Sequence, residues 1–164
     1  MPVPHILKEA LSLDKGSLPG FYFEGLSSSE IMSIYNYICA HSGKIPDEKT
    51  VWSNIENKDV PLSRIDEVAE KVISGEITPV CHPIANFRDG KAVTNCAAVY
   101  VFPDSVEIFY DPRDLVNESE MVGLLELVKQ VMRHGRVHCP FLGDETGNPR
   151  ELEYQNALQS YVGS

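Results

Sequence analysis

Apolar residues recur at helical spacing in five stretches of the chain. The clearest run places its apolar side chains at the i, i+3, i+4, i+7 and i+8 positions of one helix face: Ile31, Ile34, Tyr35, Ile38 and Cys39. Ser27 and Glu30 precede this run with the spacing of a capping box, and Gly43 follows it as a stop signal. The pattern predicts a helix over residues 28–42.

Other stretches carry similar start and stop signals. They predict three further helices, from Ser63 to Gly75, from Asn117 to Gly135, and from a start at Asn148–Glu151 with Pro149 at the first helical position. Val116 and Met121 have the spacing of a hydrophobic staple around the start at Asn117. A weaker pattern predicts a short helix near residues 6–13.

The middle of the chain has the composition of β-strands. Residues 96–102 and 106–110 are β-rich, and Pro103-Asp104-Ser105 between them has the chemistry of a tight turn, which predicts a β-hairpin. A run at 80–87 contains Pro83 and is therefore predicted to be an edge strand, followed by a loop at 86–91. A further strand is predicted at 21–24.

Helices thus stand before, between and after strands that are close in sequence. This order predicts an α+β fold, in which an antiparallel sheet carries its helices on one face. The 164 residues contain no internal repeat, low-complexity tract or linker, and we expect one domain over residues 1–164.

The net charge of the chain indicates which classes of molecule it can bind. Asp and Glu number 24 against 14 Lys and Arg, which gives a net charge of -10. Nucleic acids and anionic membranes repel such a chain, whereas a basic protein partner is attracted to it. The first residues have neither the basic nor the apolar region of a signal peptide, and no apolar run reaches the ~20 residues of a membrane helix. We therefore expect a cytoplasmic protein.

Acidic residues cluster where the predicted hairpin leads into the helix at Asn117. Asp111, Asp114, Glu118 and Glu120 lie within this junction. Glu118 and Glu120 suit the helix N-terminus, because the helix dipole favours negative charge there. Asp111 and Asp114 have no such local role. The four residues are our candidate contacts for a basic partner.

The sequence predicts neither a metal site nor a cofactor. Cys81-His82 and His138-Cys139 contain metal-ligand types, but adjacent residues of a strand point to opposite faces and Cys81-His82 cannot easily reach one ion. Phosphate-binding glycine loops and the nucleophile-elbow motif are absent. The four cysteines are far apart in sequence, so no disulfide framework is expected, and Cys39 and Cys96 are predicted to pack in the core.

One catalytic alternative stays open. Folding can bring a cysteine and a histidine together without any sequence motif. The pair that the sequence offers for this role is Cys139 with His138 or His134, near the segment 141–148. It would make the chain a small cytosolic hydrolase.

Several short sequence motifs occur together in a recognisable order along the chain. They are Leu18-Pro19, Glu24-Gly25-Leu26-Ser27, Ile34-Tyr35, Trp52, Asp59-Val60-Pro61, the run 69–75 and the run 99–106. In this combination, over residues 18–132, the chain resembles small bacterial immunity proteins of polymorphic and contact-dependent toxin systems. The resemblance implies a non-catalytic cytosolic inhibitor that covers the active site of a toxin. Such families diverge at their contact surfaces, so it assigns no binding residue.

Overall fold

The computed structural model describes residues 2–14, 18–137, 141–143 and 149–163, and it confirms the α+β prediction. The helices in this part of the chain are α1 (His5–Ser12), α2 (Ser28–Ala40), α3 (Val68–Ser74), α4 (Glu118–Gly135) and α5 (Glu151–Val162). The strands are β1 (Gly20–Phe23), β2 (Thr50–Ser53), β3 (Lys58–Pro61), β4 (Val80–Ile84), β5 (Phe87–Asp89), β6 (Ala92–Thr94), β7 (Ala97–Val101), β8 (Val106–Tyr110) and β9 (Phe141–Gly143). Within the described ranges, no helix is both long enough and apolar enough to cross a membrane.

The main sheet is antiparallel throughout and has the strand order β4-β7-β8-β1-β9. Its centre contains the predicted hairpin, formed by β7 and β8 around the Pro103 turn. β4 lies at one edge, as Pro83 requires, because proline has no amide hydrogen for a second neighbouring strand. The predicted strand at 21–24 is also confirmed, as β1 beside β8.

One face of this sheet forms the floor of the hydrophobic core. Side chains at alternate positions are buried there: Phe21, Phe23, Val80, His82, Ile84, Ala97, Val99, Val101, Val106, Ile108 and Tyr110. The apolar sides of the helices belong to the same core cluster. Helices therefore cover one sheet face, as predicted. The opposite face carries half-buried and exposed side chains, and we call it the open face.

The capping box of α2 is present as predicted. The Ser27 hydroxyl accepts a hydrogen bond from the Glu30 amide at 3.3 Å, and the Glu30 carboxylate accepts one from the Ser27 amide at 2.8 Å. The helix ends earlier than expected, with His41 rather than Gly43 at its C-terminus. The prediction of a buried Cys39 is wrong, since Cys39 is exposed and Tyr37 is buried instead. The core thus extends around α2 toward the side that faces β5.

Two other helix starts and one hydrophobic staple differ from the sequence pattern. α3 begins only at Val68, after a separate 3₁₀ turn at Leu62–Arg64. The proposed staple of α4 is wrong because Val116 is 75% exposed. Pro149 precedes the N-cap residue Arg150 of α5 instead of occupying the first helical turn, and Asn148 lies outside the described residues.

Two small hairpins complete the described fold. The segment predicted as a loop, 86–91, instead contains β5 and the turn that leads into β6, and the two strands pair around Gly90 in the left-handed region, at φ 60°. β6 runs against α4 at Gly123, where an added Cβ would collide with the carbonyl oxygen of Val93. The pairing of β2 with β3 was not predicted from the sequence.

Candidate partner-binding surface

Asp111 has a structural role that the sequence analysis missed. Its carboxylate accepts a hydrogen bond from the Arg113 amide at 3.0 Å and forms an ion pair with the Arg113 guanidinium at 2.6 Å. These interactions lower the pKa of Asp111, the side-chain hydrogen bond most strongly. The expectation that Asp111 has no local role is therefore wrong, because Asp111 caps the 3₁₀ turn at Pro112–Asp114.

Glu118 and Glu120 lie in the first turn of α4, and their carboxylates have different partners. The Glu118 carboxylate accepts a hydrogen bond from the Val3 amide at 2.7 Å and lies 3.4 Å from the ammonium group of Lys8. The hydrogen bond from Val3 is the main cause of a lowered Glu118 pKa. The Glu120 carboxylate accepts a hydrogen bond from the Val116 amide at 2.7 Å. Glu118 is thereby turned toward α1, away from the rest of the acidic junction.

Asp114 is exposed, and its side chain has neither a hydrogen bond nor an ion pair with the described residues. It lies with Glu120 on the rim of a cleft of about 530 Å³ between β6 and the start of α4, and Cys96 also lines this cleft. Burial raises the pKa of the Cys96 thiol to about 11, with further contributions from Asp114, Glu120 and Asp111. The structure therefore gathers three of the four predicted acidic residues around Cys96 and leaves Glu118 apart.

A second surface is formed by the open face of the main sheet. Strand register places four side chains in one row across it: Cys81, Tyr100, Glu107 and Tyr22. The next row contains Phe109, which is paired with Ala98 on one side and Gly20 on the other. Paired residues of neighbouring antiparallel strands project from the same face with Cβ atoms ~5 Å apart. The open face thus places Glu107 between two tyrosines.

The aromatic side chains of this face contact one another. Tyr100 stacks on Phe102 with ring centroids 4.3 Å apart, and Phe109 makes edge-to-face contacts with Tyr22 at 6.1 Å and with Tyr100 at 6.5 Å between ring centroids. All four rings are half-buried. We refer to Tyr22, Tyr100, Phe102 and Phe109 as the aromatic cluster. A contiguous aromatic patch on a folded surface is typical of interaction sites.

Gly20 allows the Phe109 ring to approach β1 closely. A Cβ atom at this position would come within 2.9 Å of the Phe109 ring. The absence of a side chain lets the Phe109 ring pack directly over the backbone of β1, an arrangement known from other glycine-containing strands.

Glu107 is the charged member of the open face. The carboxylate is half-buried, and among the described residues it has neither a hydrogen bond nor an ion pair. Burial raises the pKa of Glu107, and the nearby carboxylate of Glu24 raises it further. A half-buried carboxylate without a partner is costly, because the desolvation of its charge is not compensated.

Sequence reasoning did not identify this surface, although part of its signal was visible. Tyr100 and Phe102, and likewise Glu107 and Phe109, are spaced two residues apart within predicted strands, which puts each pair on one face. Which face would be covered by helices, and which strand would lie beside β8, could not be read from this spacing. Both depend on the tertiary structure.

The proposed separation of Cys81 and His82 is confirmed. Cys81 is exposed on the open face, whereas His82 is buried on the core face and only 3% exposed. In the described part of the chain, no group of three or more His, Cys, Asp or Glu side chains is placed to hold a metal ion. His138 and Cys139, the other pair considered, lie outside the described residues.

The surroundings of the described cysteines do not support the alternative of a Cys/His hydrolase. Cys39 and Cys81 are exposed as residues, but desolvation by the atoms packed around the sulfur is the largest cause of a raised pKa at both, as burial is at Cys96, and this disfavours the reactive thiolate form. His134 stacks on Tyr37 with ring centroids 4.3 Å apart, and its Nδ1 atom lies 3.1 Å from the hydroxyl oxygen of Ser33. Ser33 is inside α2, where backbone amides are already hydrogen-bonded and cannot stabilise an oxyanion.

Comparisons of the chain with protein-family models, with curated proteins and with solved structures found no match. The surface described above therefore has to be interpreted from its own chemistry.

Proposed function

We propose that this chain is a non-catalytic binding protein, an immunity protein that neutralises a cognate bacterial toxin in the cytoplasm by direct contact. The observation that carries the proposal is the open face, where a contiguous aromatic cluster lies beside the Glu107 carboxylate, which has no partner among the described residues. Aromatic rings bury a large area on binding at a small cost in side-chain entropy, and they are enriched in binding hot spots.

The overall charge supports the same class of partner. A net charge of -10 attracts a basic protein, and toxins that act on nucleic acids need basic surfaces. The acidic junction adds to this field through the exposed carboxylate of Asp114. In this proposal the aromatic cluster supplies the contact area, and the acidic residues accelerate the encounter.

A growth assay tests the proposal. The candidate toxin is the product of the gene next to this one, expressed in a bacterial host with and without the protein. The variant Tyr100→Ala/Phe109→Ala removes two rings of the aromatic cluster. Leu152→Ala, which truncates an apolar side chain that is 72% exposed on α5, is the matched control.

We expect the wild-type protein and Leu152→Ala to restore growth, and the double variant to fail while it remains folded by circular dichroism. Protection by all three proteins would place the contact elsewhere and remove the support that the open face gives. The proposed toxin pairing would be contradicted by two results together. The wild-type protein would fail to protect the host against this gene product, and the two purified proteins would not bind each other.

A further inference from the structure

We propose that the open face recognises an arginine side chain of the partner protein, with its guanidinium group paired to Glu107 and packed against the rings of Tyr22 and Tyr100. This inference rests on the proposed function, because it names the chemical group that the binding surface accepts.

The first argument is that the carboxylate of Glu107 is complementary in charge to a cation. Glu107 has no hydrogen-bonding or ionic partner within the described residues, and the nearby Glu24 is a second acid. A cation supplied by the partner protein would compensate this half-buried charge, which no side chain in the described part of the chain pairs with. Hydrogen bonds from a cationic donor to a carboxylate are shorter and stronger than neutral ones.

The second argument is the position of the rings. Tyr22 and Tyr100 lie on the strands that flank Glu107, and both contact the Phe109 ring in an edge-to-face arrangement. Strand spacing of ~4.8 Å separates the two tyrosine backbones by about 10 Å, enough for a side chain to enter between them. A cation beside aromatic rings is attracted by their negative faces.

The shape of the site favours arginine over lysine. A guanidinium group is planar, so it can stack on a tyrosine ring and still donate two hydrogen bonds to one carboxylate. An ammonium group is compact and strongly hydrated, and it cannot make both interactions in this way. A second copy of this chain is a poor occupant, because each copy has a net charge of -10 and would bring another acidic face to Glu107.

A titration with small probes tests the inference without the toxin. The probes are N-acetyl-arginine amide, N-acetyl-lysine amide and N-acetyl-citrulline amide, in which a neutral ureido group replaces the guanidinium. Binding to the full chain is followed by amide and aromatic chemical shifts in NMR spectra. The protein variants are Glu107→Gln and, as a control with the same change in net charge, Asp104→Asn in the exposed turn between β7 and β8.

We expect the arginine probe to shift resonances of β1, β7 and β8, and to lower the pKa of Glu107 as measured from its side-chain carboxyl resonance. Glu107→Gln should weaken this binding by about tenfold or more, as the loss of a charged hydrogen-bond partner implies, whereas Asp104→Asn should leave it nearly unchanged. The lysine and citrulline probes should both bind more weakly than the arginine probe.

Several results would overturn the inference. These are equal binding of arginine and citrulline, tighter binding of lysine, equal losses in Glu107→Gln and Asp104→Asn, or no binding of any probe at the open face. Sedimentation that shows a dimer formed through the open face would do the same. If Glu107→Gln protects the host as well as wild type does while Tyr100→Ala/Phe109→Ala fails, the proposed function stands and only the arginine assignment is lost.

Discussion

The phenol group of Tyr35 and the Nε2 atom of His82 lie 2.9 Å apart inside the core, and this contact joins α2 to the edge strand β4. The Nδ1 atom of His82 lies 2.9 Å from the carbonyl oxygen of Pro83. A carbonyl can only accept, so Nδ1 carries a proton, and in the neutral imidazole Nε2 accepts from the tyrosine hydroxyl. Burial lowers the pKa of His82 and so favours this neutral form, in which both nitrogen atoms have a hydrogen-bond partner.

Stability should therefore depend on the protonation of His82. Burial is the main cause of its pKa being below the usual value of 6.5. The unfolded chain thus takes up a proton at a higher pH than the folded chain does. The contribution of His82 is fully present above pH 6.5 and is lost as the pH falls from there toward the folded pKa. Urea unfolding of the wild-type protein and of His82→Gln between pH 7.5 and 5.5 measures this contribution to the free energy of unfolding.

We expect the wild-type free energy of unfolding to fall more steeply than that of His82→Gln across this range. The other four histidines and the carboxylates are common to both proteins, so the difference between the slopes isolates His82. If the free energy of unfolding falls equally steeply with pH in both proteins, His82 does not account for the loss of stability at acidic pH.

Gly123 is required by the close approach of β6 to α4. Its substitution by alanine would place a Cβ against the Val93 carbonyl and 2.9 Å from the Thr94 hydroxyl. Overpacking of this kind costs ~1–3 kcal/mol, more than the ~1 kcal/mol that alanine gains in helix propensity. We expect Gly123→Ala to lower the free energy of unfolding measured in urea.

Gly135→Ala in the same helix is the matched control. Its Cβ would meet Ile34 Cδ1 at 2.7 Å, and this atom is the end of a flexible side chain that can move. The control should therefore lose less stability than Gly123→Ala. A Gly123→Ala protein as stable as wild type would contradict the packing of β6 on α4.

Thr94 buries a hydroxyl group without a hydrogen-bond partner in the described part of the chain, and the residue is only 2% exposed. Valine has nearly the same shape and no polar atom to desolvate. We expect Thr94→Val to raise the free energy of unfolding by about 1 kcal/mol, since an unsatisfied buried group costs ~1–3 kcal/mol. Thr94→Ser, which keeps the hydroxyl and loses a methyl group, should lower it. A destabilised Thr94→Val protein would show that the hydroxyl is satisfied in solution.

The acidic junction should affect the rate of association with a basic toxin. Asp114→Asn is the cleanest variant, because the other three carboxylates accept backbone hydrogen bonds, Asp111 from Arg113, Glu118 from Val3 and Glu120 from Val116. We expect Asp114→Asn to lower the association rate constant at low salt and to have no effect at high salt, where charges are screened. Stopped-flow binding at two ionic strengths measures both.

Glu48→Gln removes an exposed acid far along the chain from this junction and serves as the control. Equal effects of the two variants would mean that only net charge matters. Rates that depend on neither salt nor Asp114 would mean that the acidity of the junction contributes to solubility alone.

Thiol reactivity separates the binding protein from the hydrolase alternative. With a pKa of about 11, Cys96 has about one molecule in 10,000 as thiolate at pH 7. The pKa values of Cys39 and Cys81 are raised as well. We expect alkylation by iodoacetamide at pH 7, followed by peptide mass spectrometry, to be slower at these three cysteines than at free glutathione. Rapid modification of Cys139, suppressed by His138→Ala or His134→Ala, would instead favour the Cys/His hydrolase.

Local signals in the sequence determined much of the secondary structure. Ser27 with Glu30 marked the start of α2, and the Pro103 turn marked the hairpin of β7 and β8. Such signals involve residues a few positions apart, whose hydrogen bonds and dihedral preferences act within a single turn. The immunity-protein resemblance, the single domain and the four acidic contacts remain predictions.

Tertiary structure decided which side chains became neighbours. Helical spacing could not choose between Cys39 and Tyr37 for burial, because that choice depends on the aromatic contact of Tyr37 with Phe87 of β5. The row that places Glu107 between Tyr22 and Tyr100 required, besides the predicted hairpin, the pairing of β8 with β1, a strand far away in the chain. Alternation within one strand assigns residues to two faces, but only the packing of the helices decides which face remains open to a partner.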